Sequence, residues 1–313
     1  MALTHLHCGG VPLRTITVAE LNHKWFRSSL PLIASAGLQA AHVYRRRCHR
    51  RKGVGQMLDL TNRTALVTGG SRGIGRATAL RLAEAGARVV IADRSDHRAD
   101  RDTATWQTIV DRGGRAESWE LDISDADQVA SVVERVESEH GLDILVNNAG
   151  ALLAGSLTDT TDEMWRDQFR INVDGTFYCM RAAVRAMLAA GRKGKIVNIT
   201  SISGLRANPG FAAYCSAKAA VVNLTRQAGI DYAPMGININ SVAPGFVETD
   251  MTALYDSSIR DALEKQTPNG KWASPAQIAD SVLFLCSPLS DHIVGEILVV
   301  DGGWLVGTPV VTR

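Results

Sequence analysis

The chain has 313 residues, 34 Lys or Arg against 32 Asp or Glu, a formal net charge of +2, and 45 % hydrophobic residues. Five cysteines, with no CxxC pair, exclude a disulfide framework and point to a reducing compartment. The near-neutral balance hides two unlike segments: up to Gln56 nine basic residues face Glu20 alone, a net of +8, while the remainder has 25 basic and 31 acidic residues, a net of −6.

The length exceeds one ordinary domain of about 100 to 200 residues, and the surplus lies at the front. Residues 1–56 read as a basic, disordered extension. Its apolar stretch from Leu30 to Val43 is interrupted by Ser35, Gly37, Gln39 and His42 and is too short to span a bilayer. Arg45-Arg-Arg47 follows where a secretory signal would place a small-residue cleavage site. Two readings stay open, an organelle transit peptide or sequence upstream of a true start at Met57, the second being favoured. The run Arg45 to Lys52 is read as a solvated tail, so neither nucleic acid nor membrane is expected as a partner. His5-Leu-His7-Cys8 is the only cluster with metal-like composition. No second cluster completes a tetrahedral set, and no metal is expected.

From residue 57 strands and helices alternate. The apolar run Thr64-Ala-Leu-Val-Thr68 enters the glycine turn of Gly69, Ser71, Arg72, Gly73, Ile74 and Gly75, and a helical pattern follows from Arg76 to Glu84. Strand, glycine turn and helix together make a phosphate cradle: the glycines let the backbone approach a pyrophosphate, and the free N–H groups of the helix start face its charge. The next strand, Arg88 to Asp93, ends in a carboxylate 18 residues after Gly75, where a dinucleotide fold places the acid that holds a ribose. Further strands are expected near 116, from Leu142 to Val146, from Lys195 to Thr200, near 237 and near 296, with a helix from Asp162 to Ala190. Two of them stop at polar residues, Asn147-Asn-Ala-Gly150 and Ser201, where an open parallel sheet puts its ligand. Residues 57–313 therefore read as one α/β domain, a doubly wound Rossmann fold with a seven-stranded parallel sheet.

Tyr214-Cys-Ser-Ala-Lys218 puts a phenol and an ammonium on one helix face. A nearby fixed cation favours phenolate and moves its pKa, ordinarily about 10, toward working pH. Such a pair can exchange a proton with a substrate hydroxyl. Cys215, between them, has no base at triad-like spacing and is read as a packed side chain.

With TGxxxGxG at Thr68 to Gly75, NNAG at 147–150, Ser201, YxxxK at 214–218 and Pro244-Gly245 in that order, the chain resembles a single-domain short-chain dehydrogenase/reductase over roughly residues 57 to 304. The resemblance implies that Tyr214 is the catalytic acid/base, that Lys218 lowers its pKa and holds the nicotinamide ribose, and that Ser201 bonds the substrate oxygen. Ser203 is the alternative serine, disfavoured by the family's spacing. Asn172, in Arg170-Ile-Asn-Val-Asp174, matches the residue that holds a water joining the lysine to solvent. Asp122 and Ile123 resemble the pair flanking adenine, Asn148 lines the cofactor's path, and Val247 with Thr249 contacts the nicotinamide amide, Thr249 also capping the helix that follows.

Asp93 favours NAD, since a carboxylate there accepts from a ribose 2′-hydroxyl and repels the 2′-phosphate of NADP. Arg72 and Arg94 pull toward NADP, which is expected second. The implied activity is hydride transfer between NAD(P) and a secondary alcohol or ketone. The alternatives are an NADPH-dependent 3-oxoacyl-carrier-protein reductase, which would want a basic docking patch near the lid, and a catalytically silent dinucleotide sensor or scaffold. The segment from Thr249 to Ser274 is the expected lid, with Met251, Leu254, Tyr255 and Trp272, near Leu152, Leu153 and Leu205. A cytoplasmic homotetramer is expected, with a dimer next and organelle import if the leader is a transit peptide.

Overall fold

Short runs rich in Val, Ile and Leu form the inner strands, buried on both faces, and each of the first six strands is followed by a helix that packs on the sheet. The computed structural model describes residues 58–94, 103–253 and 255–307; the leader 1–56, the start at Met57 and the lid residue Leu254 lie outside them. In chain order the described elements are β1 Thr64–Thr68, α1 Gly73–Glu84, β2 Arg88–Asp93, α2 Thr105–Asp111, β3 Arg115–Glu120, α3 Ala126–His140, β4 Ile144–Asn147, α4 Asp162–Phe169, α5 Gly175–Ala189, β5 Gly194–Ile199, α6 Ala212–Tyr232, β6 Ile237–Pro244, α7 Ser257–Gln266, α8 Pro275–Cys286 and β7 Ile297–Val300.

The seven strands form one parallel sheet in the order β3-β2-β1-β4-β5-β6-β7. Leu66 pairs with Val90 on one side and Leu145 on the other, and alternation sends neighbouring residues to opposite layers. Ala65, Val67, Val89 and Ile91 pack with Ala79 and Leu82 of α1 and Ile278 and Val282 of α8. Leu66, Val90, Leu145 and Ile196 pack on the other face with Val129 and Val133 of α3 and Met180 and Met187 of α5. Each fully buried Leu or Ile contributes about 1.5–3 kcal/mol. The chain runs outward from β1 through β2 to β3 and then crosses back to β4 on the other side of β1, which opens a crevice above the carboxyl ends at this reversal.

Several expected boundaries move by one to three residues, the helix expected from Arg76 beginning at Gly73 and the strand expected at Lys195 to Thr200 running Gly194–Ile199, and two further differences have a visible cause. The fourth strand begins at Ile144 rather than Leu142, because the Leu142 N–H donates to Glu137 Oε2 at 2.6 Å and the Asp143 carboxylate accepts from Arg63 Nη1 and the Thr64 N–H. The helix expected from Asp162 to Ala190 is interrupted by a π-helical turn at Arg170–Asp174. Its cause is Asn172, buried to 1 % exposure, whose Nδ2 donates to the Ala151 carbonyl at 2.8 Å while Oδ1 accepts from the Ala151 N–H at 3.0 Å. One side chain thus ties the wide turn to the loop after β4. Such single-turn insertions concentrate at functional sites.

Candidate active site

The carboxyl ends of β1, β2, β3, β4, β5 and β6 open onto one cleft of about 510 Å³. Its walls carry Gly69, Arg72, Gly73, Ile74, Asp93, Asp122, Ile123, Asn148, Ser201, Tyr214, Lys218, Pro244, Gly245, Val247 and Thr249. Of the residues singled out from sequence, Ser71, Gly75 and Asn172 stand behind the wall and shape it.

At the β1 end Gly69 and Gly73 have φ of +63° and +53°, backbone that favours glycine. Gly75 serves a different need, close approach: a Cβ there would lie 2.1 Å from the Gly69 carbonyl oxygen and 2.4 Å from Asn148 Nδ2. That amide donates to the carbonyls of Thr68 and Gly69 at 3.0 and 2.9 Å, so Asn148 holds the turn as well as lining the cleft. Arg72, the N-cap of α1, makes no side-chain capping bond, leaving the first N–H groups of the helix for an anion. Asp93 Oδ2 accepts from the Ser71 N–H at 3.1 Å and Oδ1 from the Arg94 N–H at 2.9 Å, which fixes the carboxylate at the mouth. Arg72 reaches Asp250 across the cleft at 3.7 Å. Burial raises the Asp122 carboxyl, but bonds from the Ser124 hydroxyl and N–H, with Arg94 and Arg170 nearby, leave it below the ordinary carboxylate value. A glycine cradle that admits no Cβ, an uncapped helix start and a strand-end acid fit a dinucleotide.

At the other end β5 delivers Ser201, whose Oγ accepts from the Ser203 N–H at 3.0 Å and which shares the cleft wall with Tyr214. Ser203 Oγ instead accepts from Asn208 Nδ2 at 2.8 Å, and of the two serines it is Ser201 that lowers the phenol's pKa. Lys218, one turn along α6, is buried, donates from Nζ to the Ile199 carbonyl at 3.0 Å and lies 5.8 Å from the centre of the Tyr214 ring. A Cβ placed on Gly150 would lie 2.6 Å from Asn172 Oδ1 and 3.7 Å from Lys218 Nζ, so this glycine is where the π-turn and the lysine converge. Burial pushes the Tyr214 phenol up to about 12 against the Ser201 bond that lowers it, and pushes the Lys218 ammonium down to about 8. The arrangement sets a neutral phenol, a hydroxyl and a partly charged amine around one point at the cleft floor. It can hand a proton to an oxygen placed there.

The lysine's burial has a consequence for stability. Its folded value lies below the unfolded one of 10.5, so above about 8 the unfolded chain binds the proton that the folded chain has released, and stability rises with pH across the window from about 8 to 10.5. Thermal melts of the wild type against Lys218→Met are expected to show the difference moving in the wild type's favour across that window; a difference that stays flat refutes the buried-amine assignment.

Thr68, the first residue of the glycine motif, accepts at Oγ1 from the N–H groups of Asn148 and Ala149, and Tyr255 of the expected lid lines the cleft. Other contributors carry no sequence signal: Thr105 Oγ1 donates to the Gly70 carbonyl, and Phe211 and Phe246 form walls. Lone threonines and phenylalanines have no spacing that betrays such work. The lid residue Met251 lines the cleft, whereas Trp272 is buried behind Phe246, and Thr249 caps a short 3₁₀ turn at Asp250–Thr252 through a capping box with Thr252. Away from the cleft, Glu117, Glu139 and His140 come within 4.8 Å of one another, with the two carboxylates paired to Arg88 and Arg135.

Residues 69–305 match the family described as Enoyl-(Acyl carrier protein) reductase. The chain is 38 % identical to the 3-oxoacyl-(acyl-carrier-protein) reductase FabG of Aquifex aeolicus, over 79 % of this chain and 98 % of the relative. It is 41 % identical to the cis-4-hydroxycyclohexanecarboxylate dehydrogenase of Sinomonas cyclohexanicum, over 77 % of this chain and 96 % of the relative. Among solved structures it superposes with a TM-score of 0.76 and 37 % identity on a gluconate 5-dehydrogenase from Burkholderia cenocepacia in complex with NADP and tartrate, covering 81 % of this chain and 99 % of the other.

Proposed function

This chain belongs to the short-chain dehydrogenase/reductase family, NAD(P)-dependent oxidoreductases of alcohols and ketones, and from that premise we propose that it interconverts a secondary alcohol and a ketone with Tyr214 as the proton donor and acceptor. The observation that carries the reading is that Ser201 and Tyr214 share the cleft wall, where Ser201 lowers the phenol's pKa, with Lys218 buried beside them on the Ile199 carbonyl. The nicotinamide supplies hydride to, or accepts it from, the substrate carbon. Gly69, Gly73 and the start of α1 would hold the pyrophosphate, Asp93 the adenosine ribose, Asp122 and Ile123 the adenine, and Val247 with Thr249 the nicotinamide end. Ser201 holds the substrate oxygen and steadies its developing charge. Tyr214 gives its proton to that oxygen in reduction and takes it back in oxidation. Lys218 is the source that recharges the phenol, and Asn172, which meets it at Gly150, holds the loop lining that proton path. Consumption of reduced nicotinamide that depends on added ketone tests the reading, and its absence across aliphatic, cyclic, sugar and thioester ketones refutes it.

NAD is the proposed preference over NADP. Solved relatives carry NADP, yet Asp93 presents a fixed carboxylate where a 2′-phosphate would sit, and Arg72 is engaged with Asp250. Asp93→Ser is expected to shift the ratio of kcat/KM values toward NADP by about tenfold or more, one like-charge contact at partial exposure. A wild type that already prefers NADP overturns this choice. The 3-oxoacyl-carrier-protein alternative is supported by the similarity to FabG; at the lid Arg260 is bound by Glu248 and Glu264, while Lys265 and Lys271 are exposed.

We assign a homotetramer, supported by Trp165, Phe177 and Leu188, which lie about 40 % exposed on α4 and α5. Light scattering is expected to give four times the chain mass, and a monomer at micromolar concentration refutes it. No helix among the described residues is long and apolar enough to cross a membrane; a cytoplasmic location is the proposal that goes with it.

A further inference from the structure

Resting on that reading of the site, we infer that its substrate is an uncharged, ring-bearing ketone or secondary alcohol, received against an aromatic wall that begins at Phe246. The residue follows Pro244-Gly245 directly and is half-buried at the cleft. Its ring is fixed from three sides: Trp272, 5 % exposed, stacks on it at 5.5 Å and 21°, Trp304 meets it edge-on at 4.9 Å, and Tyr255 does so at 6.2 Å. Tyr255 also leans on Trp272 at 5.9 Å, and the Arg260 guanidinium lies 4.7 Å from the Trp272 ring, so the lid is keyed to the same stack. Facing Tyr214 on another side is Phe211, edge-on at 6.4 Å. The reacting oxygen would therefore sit in a cleft whose lining includes both Phe246 and Phe211. A rigid apolar wall suits a rigid flat ligand, which loses little freedom on docking, and returns nothing to the hydroxyls of a polyol.

Charge on the wall points the same way. The charged side chains lining the cleft are Arg72, Asp93, Arg94, Asp122, Lys218 and Asp250. Four of these gather at the carboxyl ends of β1 to β3, Asp250 faces Arg72, and Lys218 is tied to the Ile199 carbonyl. Among the described residues no cation remains at the Phe246 end to receive a carboxylate. Of the lid cations, Arg260 has Glu248 at 2.6 Å and Glu264 at 3.2 Å, and it lies off the cleft wall, as do Lys265 and Lys271. A sugar acid would bring its carboxylate to this end unpaired.

The test compares kcat/KM for cyclohexanone and tetralone with that for a keto-sugar acid and an acetoacetyl thioester, using the full-length protein with reduced nicotinamide. The ring ketones are expected to exceed both others at least about tenfold. Phe246→Leu, which keeps the site apolar, and Tyr255→Ala, on the lid, are each expected to raise KM for the ring ketones about three- to tenfold, with a smaller effect on butanone. Saturation-transfer NMR of cyclohexanol with the Tyr214→Phe protein supplies a readout that needs no turnover. A preference for the sugar acid or the thioester overturns the inference and leaves the oxidoreductase reading standing. Ring binding without turnover of any ketone overturns the reading and leaves the ligand class standing. Neither binding nor turnover of the ring compounds overturns the inference outright.

Discussion

Tyr214→Phe is expected to lower kcat for ketone reduction by about 10²- to 10⁴-fold, the usual worth of a positioned proton donor. The substitution removes one oxygen and leaves the ring, which packs edge-on against Phe211, so the fold is not expected to change measurably. The Ser201 hydroxyl keeps the Ser203 N–H. Dinucleotide affinity, read by fluorescence titration, is expected to fall far less than kcat, because the glycine cradle and Asp93 lie at the other end of the cleft. The pH profile separates a proton role from a merely steric one. A phenol held at about 12 is fully protonated near neutrality, so reduction has its donor ready and is not limited by the phenol's ionisation. Oxidation needs the phenolate, whose population rises about tenfold per pH unit below that value, so the alcohol-oxidation rate is expected to climb with pH while reduction does not. In the Phe variant this divergence should vanish. Retention of more than about a tenth of wild-type kcat would remove Tyr214 from the reaction.

The inner strands were readable because parallel strands buried on both faces are short apolar runs with little else in them, as Val89-Val-Ile91 and Ile144-Leu-Val146 are; the edge strand β3, Arg115–Glu120, is polar and not buried. The cleft was readable for a related reason: its residues stand where those runs stop, so Asp93, Asn148 and Ser201 are placed by the ends of β2, β4 and β5. What escaped depends on contacts between distant segments. The π-turn at Arg170–Asp174 follows the helical pattern in sequence and departs from it only because Asn172 clamps Ala151, a tertiary contact that overrides local periodicity. The pKa relation between Tyr214 and Lys218 likewise looked like a simple cation effect at helical spacing. In the fold, burial dominates both groups and the ammonium spends its bond on the Ile199 carbonyl. The wall of Phe246, Trp272 and Trp304 joins three segments that share no spacing.

Gly75→Ala is expected to be the most damaging single-methyl change in the glycine turn, and the reason is space rather than torsion. Gly75 lies in the first turn of α1, where alanine is intrinsically the better residue by about 1 kcal/mol. Against that gain, the new Cβ would lie 2.1 Å from the Gly69 oxygen and 2.4 Å from Asn148 Nδ2. Both neighbours are fixed: the oxygen is backbone, and the amide is held by the Thr68 and Gly69 carbonyls. Relief requires α1 to move off the β1 end or Asn148 to release its two bonds, and overpacking of this kind costs about 1–3 kcal/mol, beyond the lost helix preference. A shift of the helix start would also carry its free N–H groups away from a pyrophosphate, so KM for the dinucleotide is expected to rise about tenfold or more. Gly113→Ala is the comparison. It sits at φ +82° with nothing within 4 Å of the added methyl, so it should cost about 1–2 kcal/mol of left-handed strain and leave the dinucleotide KM alone. Denaturant melts and dinucleotide kinetics on the pair separate the two effects: equal KM values in both variants would show that the contact between Gly75 and Gly69 does not shape the cradle.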